Sequence, residues 1–227
     1  MQAAARIDEM SAPWLWWAAL AIGIAYLLPV ALGVSGPGII LWKGAGVGLL
    51  ALWAAVNGRD RAGQMIALAL GFGAMGDVLL EASGLIFGAF AFVFGHVIAI
   101  GLYNQNQRPA TTGSQRLLAA LVAPLSLIIC WALLREVGAF HTAKLAGALF
   151  YTLVVAVMAA TAWTSNFPRY RTGVGAMLFL ISDLLIFARI GGAVPPGLAS
   201  LLIWPLYFGG QVLIAWGVVT TLAARQR

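Results

Sequence analysis

From Leu85 to Tyr103 the chain reads LIFGAFAFVFGHVIAIGLY, and His96 is its only acidic or basic side chain. A run of about twenty apolar residues is what an α-helix needs to cross the hydrocarbon core of a bilayer. The run is unbroken, with none of the ten-residue apolar/polar alternation of a barrel strand, so it selects a helix as the way to satisfy every backbone amide in lipid. The same reading extends outward in both directions. It predicts spans at Pro13 to Leu32, Pro37 to Val56, Ala62 to Leu80, Leu85 to Tyr103, Leu117 to Leu134, Leu145 to Trp163, Gly173 to Ile190 and Leu198 to Leu222. Between them lie polar or Gly/Pro breaks, of which Asn57-Gly58-Arg59-Asp60-Arg61 and Asn104 through Gln115 are the plainest. The expected fold is all-α, a polytopic membrane protein of eight transmembrane helices forming a single domain.

Composition agrees. Hydrophobic residues make up 62% of the chain and charged ones 9%, against roughly a quarter charged in a soluble domain. There are too few Asp, Glu, Lys and Arg to coat a water-facing surface, so lipid must be the solvent for most of it. The formal charge of +6 is unevenly placed. One set of loops and termini collects Arg6, Arg59, Arg61, Arg108, Arg116, Arg169, Arg171, Arg225 and Arg227, and the other only Arg135, Lys144 and Arg189. Positive charge favours the cytoplasmic side, which predicts a cell-membrane protein with both termini in the cytoplasm. The basic balance therefore reports topology and attraction to anionic headgroups, with no nucleic-acid partner implied. The segment before Pro13 carries Asp8 and Glu9 and leads into a span too long for a signal-peptide core, so a cleaved signal is not expected. The lone cysteine, Cys130, lies in an apolar run and reads as a small buried hydrophobe.

Ionisable groups inside a hydrocarbon slab are costly, which makes each one a candidate functional residue. These are Lys43, Asp77, His96 and Asp183, joined by Tyr207 and Gln211 in the last span. At 1.5 Å per residue, Lys43, Asp77 and Asp183 fall roughly 5 to 10 Å from the outer ends of their helices. His96, Tyr207 and Gln211 fall nearer mid-depth, so all six are expected to line one cavity. Glu81 and Arg189 read as interfacial, and Tyr151 and Met158 as packing. Gly76-Asp77-Val78-Leu79-Leu80 and Ser182-Asp183-Leu184-Leu185-Ile186 are alike and sit four spans apart on helices of the same direction. This pattern hints at two parallel four-helix halves.

Taken together, these residues resemble the lysoplasmalogenase family, the YhhN-like multispanning membrane hydrolases. The likeness rests on Gly76 through Leu80, on Phe87-Gly88 and Phe92 leading to His96, on Phe179-Leu180-Ile181-Ser182-Asp183 with Leu184 and Leu185, and on Tyr207 with Gln211-Val212-Leu213-Ile214. It covers roughly Trp42 to Gly217. One departure is Gly44, where the family usually has proline after the lysine. The resemblance implies eight spans, no obligatory cofactor or metal, and hydrolysis of the vinyl-ether bond of lysoplasmalogens. The products would be a fatty aldehyde and glycerophosphoethanolamine or glycerophosphocholine, and the partners a lysophospholipid substrate and membrane lipids.

The residues suit that chemistry. A vinyl ether hydrolyses by protonation of its β-carbon to an oxocarbenium ion, which water captures. Two carboxyls supply both the acid and a stabilising anion when one keeps its proton and the other is ionised beside a cation such as Lys43. Asp77 and Asp183 are the expected pair, with His96 polarising water or relaying protons and Lys43, Tyr207 and Gln211 binding substrate. A zinc hydrolase of the alkaline ceramidase type would need three ligating histidines, and the chain has only His96 and His141. A small-molecule or lipid transporter built on the same Asp/Lys/His cluster is the alternative from another class, and a non-catalytic lipid sensor is a third.

Overall fold

The structure is a computed structural model and describes residues 6–140 and 142–226. His141, used above in the histidine count, and Arg227, used in the charge count, lie outside the described residues. Among the described residues eight helices are long and apolar enough to cross a membrane. The first span is made of two pieces, α1 (Pro13–Ala25) and α2 (Leu27–Leu32). The break at Tyr26 has a cause in Pro29, which has no N–H to offer the Ala25 carbonyl. The remaining spans are α3 (Pro37–Asn57), α4 (Arg61–Ala82), α5 (Leu85–Gln105), α6 (Gly113–Leu134), α7 (Thr142–Thr164), α8 (Val174–Ile190) and α9 (Pro196–Arg225). A π-helical turn, Arg169–Gly173, leads into α8.

The helix starts follow capping chemistry. Asp60 accepts from the Gly63 amide at 2.8 Å to open α4. Thr112 and Gln115 form a reciprocal capping box that opens α6. The start of α1 and the end of α9 lie on the same face of the bundle. There Ser11 and Asn57 exchange hydrogen bonds at 2.9 Å, and Arg225 donates to Asn106 at 2.8 Å.

Packing orders the helices by their exposure to lipid. The most apolar window of α6 is only 17% buried inside the protein and that of α8 is 50% buried, so α6 is a rim helix and α8 a central one. Leu28, Phe94 and Ile128 point outward, as residues solvated by acyl chains should.

The likeness between the two Asp-bearing segments extends to how their helices pack. Helix α5 approaches α4 at Gly95, where an added Cβ would lie 2.9 Å from the Ala69 carbonyl oxygen. Helix α9 approaches α8 at Gly210, where a Cβ would lie 2.6 Å from the Gly175 carbonyl oxygen. Ala69 and Gly175 stand at the same distance in sequence before Asp77 and Asp183, and Gly95 and Gly210 immediately precede His96 and Gln211. Each half thus closes its third and fourth spans through an equivalent small-residue contact.

Gly175→Ala is expected to destabilise the bundle by about 1–3 kcal/mol through overpacking, because its Cβ would meet the Gly210 carbonyl at 2.6 Å and the Ile214 amide at 3.0 Å, both backbone. Gly71→Ala, whose Cβ meets open space, is the control. Thermal melting in detergent checks both, with a lowered midpoint expected for the first alone.

Candidate active site

Asp77 on α4 and Asp183 on α8 both turn into the bundle, 3% and 7% exposed. Each carboxylate accepts a hydrogen bond from a tyrosine on a neighbouring helix. Tyr207 on α9 donates to Asp77 at 2.8 Å, and Tyr151 on α7 donates to Asp183 at 2.8 Å. A buried carboxyl needs such a partner, since an unmet polar group in a low-dielectric interior is costly. Tyr151, expected to be packing, is therefore one of the two hydroxyls that hold the acids.

The two acid–tyrosine pairs are joined by a cluster of rings. Phe179 meets Tyr207 edge-on at 5.1 Å and His96 at 4.7 Å, and His96 in turn lies 6.3 Å from Tyr151. Phe92 packs against Phe179 and Tyr207, both at 5.9 Å. Asp77 and Asp183 each bond a different tyrosine at opposite ends of this cluster and share no hydrogen bond. The expected carboxyl pair is thus two separate acids with an aromatic partition between them.

The partition also divides the space. Instead of one cavity lined by all six residues, two stand on either side of Phe92. The larger, about 710 Å³, has Asp183 and Tyr151 in its wall and falls within the ~300–1,000 Å³ range of small-molecule sites. Its other lining is almost all carbon and includes Phe87 and Phe90 of α5 and Phe150 of α7. Those three rings are themselves exposed, so the cavity opens sideways between α5 and α7, where acyl chains would lie. The smaller cavity, about 20 Å³, is lined by His96, Gln211, Gly73 and Tyr103 and has room for about one water. His96 Nε2 and the Tyr103 hydroxyl are both buried without a partner among the described residues. His96 therefore stands between the two spaces, lining the small one while its ring edges onto Tyr151 in the large one. Asp77 lines neither of these cavities.

Lys43 differs most from expectation. Its ammonium pairs with Glu81 at 2.6 Å, and Asp77 is within its electrostatic reach but not in contact. Glu81 follows Asp77 by one helical turn and so shares its face of α4. It lies nearer the helix end, where a snorkelling lysine reaches it more readily. Glu81 is exposed near the helix end, in keeping with the interfacial reading, and there it also takes the ammonium of Lys43. Gly44, the departure after Lys43, has a local reason: a Cβ there would lie 2.7 Å from Val78 and 2.9 Å from the Ala74 carbonyl. Glycine lets α3 close onto α4 and keeps Lys43 beside Glu81.

Gln211 and Tyr207 share one face of α9, with Gln211 beside the Tyr207 hydroxyl. Gly73 makes room for the amide, since a Cβ there would lie 2.9 Å from Gln211 Nε2. Trp204, one turn before, donates its indole N–H to the Gly23 carbonyl at 2.8 Å and ties α9 to α1. Tyr207 thus bonds an acid and lines neither of these cavities.

Among the described residues, a bundle with eight helices long and apolar enough to cross a membrane and two buried acid–tyrosine pairs, one of them on a carbon-lined cavity, defines a class of polytopic membrane protein. Within that class the chain belongs to the YhhN family, whose model it matches over residues 38–218. Lysoplasmalogen hydrolysis is the known activity of that family, and membership suggests a membrane hydrolase-like role. No curated protein and no solved structure matches the chain.

Proposed function

We propose that this protein hydrolyses the vinyl-ether bond of lysoplasmalogens, with Asp183 as the acid that protonates carbon. The observation that carries the reading is the position of Asp183 and Tyr151 in the wall of a carbon-lined cavity that opens to the bilayer between α5 and α7. A single-chain lipid enters such a cavity laterally, its headgroup held near the interface and its first chain carbons beside the acid.

Asp183 gives its proton to the β-carbon of the vinyl ether, and the resulting oxocarbenium ion is stabilised by the carboxylate left behind. Asp77, held by Tyr207 behind the rings, lines neither cavity and supports the site from outside the substrate space. Water adds to the cationic carbon and returns a proton to the Asp183 carboxylate, giving a hemiacetal. Breaking the remaining bond between that carbon and the glycerol oxygen yields aldehyde and glycerol hydroxyl, so one water is consumed in all. His96 is placed to pass that water, or its proton, between the small cavity and Tyr151. Gln211 and Tyr207 hold Asp77 and its surroundings in place. The basic residues on the face shared by the start of α1 and the end of α9 favour a cytoplasmic location for that face in the cell membrane.

The test is mass spectrometry of detergent-solubilised protein incubated with a mixed lysophospholipid panel. Release of fatty aldehyde from the alkenyl lipids, and from no acyl or alkyl lipid, is the expected outcome. A second reading, a lipid or small-molecule carrier, draws on the matched helix packing of the two halves, which is common in transporters. It predicts gradient-dependent uptake into vesicles with no product in detergent.

A further inference from the structure

We infer that Lys144 is the phosphate-binding residue of the large cavity, a reading that rests on the proposed hydrolysis and adds the group that selects phospholipids from neutral ether lipids. Lys144 stands in the first turn of α7 and lines the rim of the cavity, across from Ser83 and Gly84 at the start of α5. Tyr151 is seven residues further along α7, on the same face and about 10 Å deeper along the axis. In a lysophospholipid the ether oxygen and the phosphorus are separated by five bonds, roughly 6 Å when extended. A lysine side chain bending inward from the rim closes the difference. An ether bond beside Asp183 therefore places its phosphodiester at the Lys144 ammonium.

Charge balance on this side of the bundle supports the assignment. Its two carboxylates near the interface each carry a basic partner, Glu81 with Lys43 at 2.6 Å and Glu136 with Arg135 at 3.3 Å. Arg189 donates to Ser200 on α9. Lys144 is exposed and has no ion pair or hydrogen bond among the described residues, so its charge is available to an anion. In a cavity lined almost wholly by carbon, a single cation at the rim also orients the lipid, headgroup outward and chain toward the gap between α5 and α7.

The experiment uses the full chain in a phosphate-free neutral detergent. It compares a 1-alkenyl lysophospholipid with the corresponding 1-alkenylglycerol, which lacks the phosphate, for wild type, Lys144→Gln and Lys144→Arg. For the phospholipid, Lys144→Gln is expected to raise KM about tenfold or more, as loss of a charged hydrogen bond does, with kcat little changed and with recovery in Lys144→Arg. For the alkenylglycerol no variant differs from wild type. Equal losses on both substrates, or none on either, overturn the assignment. A binding arm with a non-hydrolysable 1-alkyl lysophospholipid, read by thermal shift, separates this inference from the hydrolysis itself. If no substrate turns over, weaker protection of Lys144→Gln than of wild type still supports a phosphate site, and equal protection overturns it. Millimolar inorganic phosphate is expected to give no protection; protection equal to the lipid's would overturn a lipid-borne phosphate as the ligand.

Discussion

Asp183→Asn is expected to leave the protein folded and to remove turnover, lowering kcat about 10²–10⁴-fold, the range a positioned general acid contributes. Asparagine has the same shape, and its side-chain oxygen still accepts from the Tyr151 hydroxyl, so the contact that holds α7 to α8 at 2.8 Å persists. Exchanging a buried acid for a neutral isostere introduces no unpaired charge, which is the change that would unfold a lipid-solvated bundle. What asparagine lacks is a transferable proton. Asp77→Asn, with Tyr207 again keeping its acceptor, is expected to lower kcat far less, because Asp77 does not line the large cavity. Aldehyde release per folded protein, with melting in detergent as the control, checks both. An Asp183→Asn protein at wild-type rate would remove the mechanism.

Gly147→Phe is expected to have a comparably large effect by a different route. Gly147 lines the large cavity on α7, and a Cβ built there meets nothing within 4 Å. A phenylalanine there begins from an unobstructed Cβ in the cavity wall, and its ring is expected to take up space proposed for the alkenyl chain. Replacing a helix-interior glycine with phenylalanine also favours the helix by a few tenths of a kcal/mol, roughly half of what alanine would give. The variant should therefore melt no lower than wild type while losing substrate protection and most of its kcat/KM. Gly147→Ala, which adds one methyl, should keep most activity. An active Gly147→Phe protein would mean that the substrate does not use this cavity.

The membrane spans were readable because lipid imposes a simple rule, about twenty apolar residues for each crossing, and Pro13, Pro37 and Leu85 begin helices where that rule places them. Hydropathy is blind to the polar ends that continue the backbone pattern into the headgroup region. Helix α6 begins at Gly113 rather than Leu117 because of its capping box, and α9 runs on to Arg225 rather than Leu222. Asp77, Asp183 and His96 stood out because ionisable groups are rare in hydrocarbon. Their partners did not. Tyr151 sits among apolar residues, and nothing in its local spacing says that α7 will turn it toward α8. Glu81 lies at a helix end, where charge is ordinary, and only the close approach of α3 at Gly44 makes it the partner of Lys43. A single shared cavity followed from placing six polar groups at similar depth. The structure replaces it with two because Phe92 and Phe179 fill the space between the acids, a matter of side-chain volume that depth along the helix does not register.

The most direct test of carbon protonation is the isotope content of the product. Wild-type protein in deuterium oxide is given a 1-alkenyl lysophospholipid, and the aldehyde is reduced as it forms so that no later exchange occurs. Protonation of the β-carbon by an acid in equilibrium with solvent predicts one deuterium on the carbon next to the former carbonyl. An aldehyde released with no deuterium at that carbon would contradict the account.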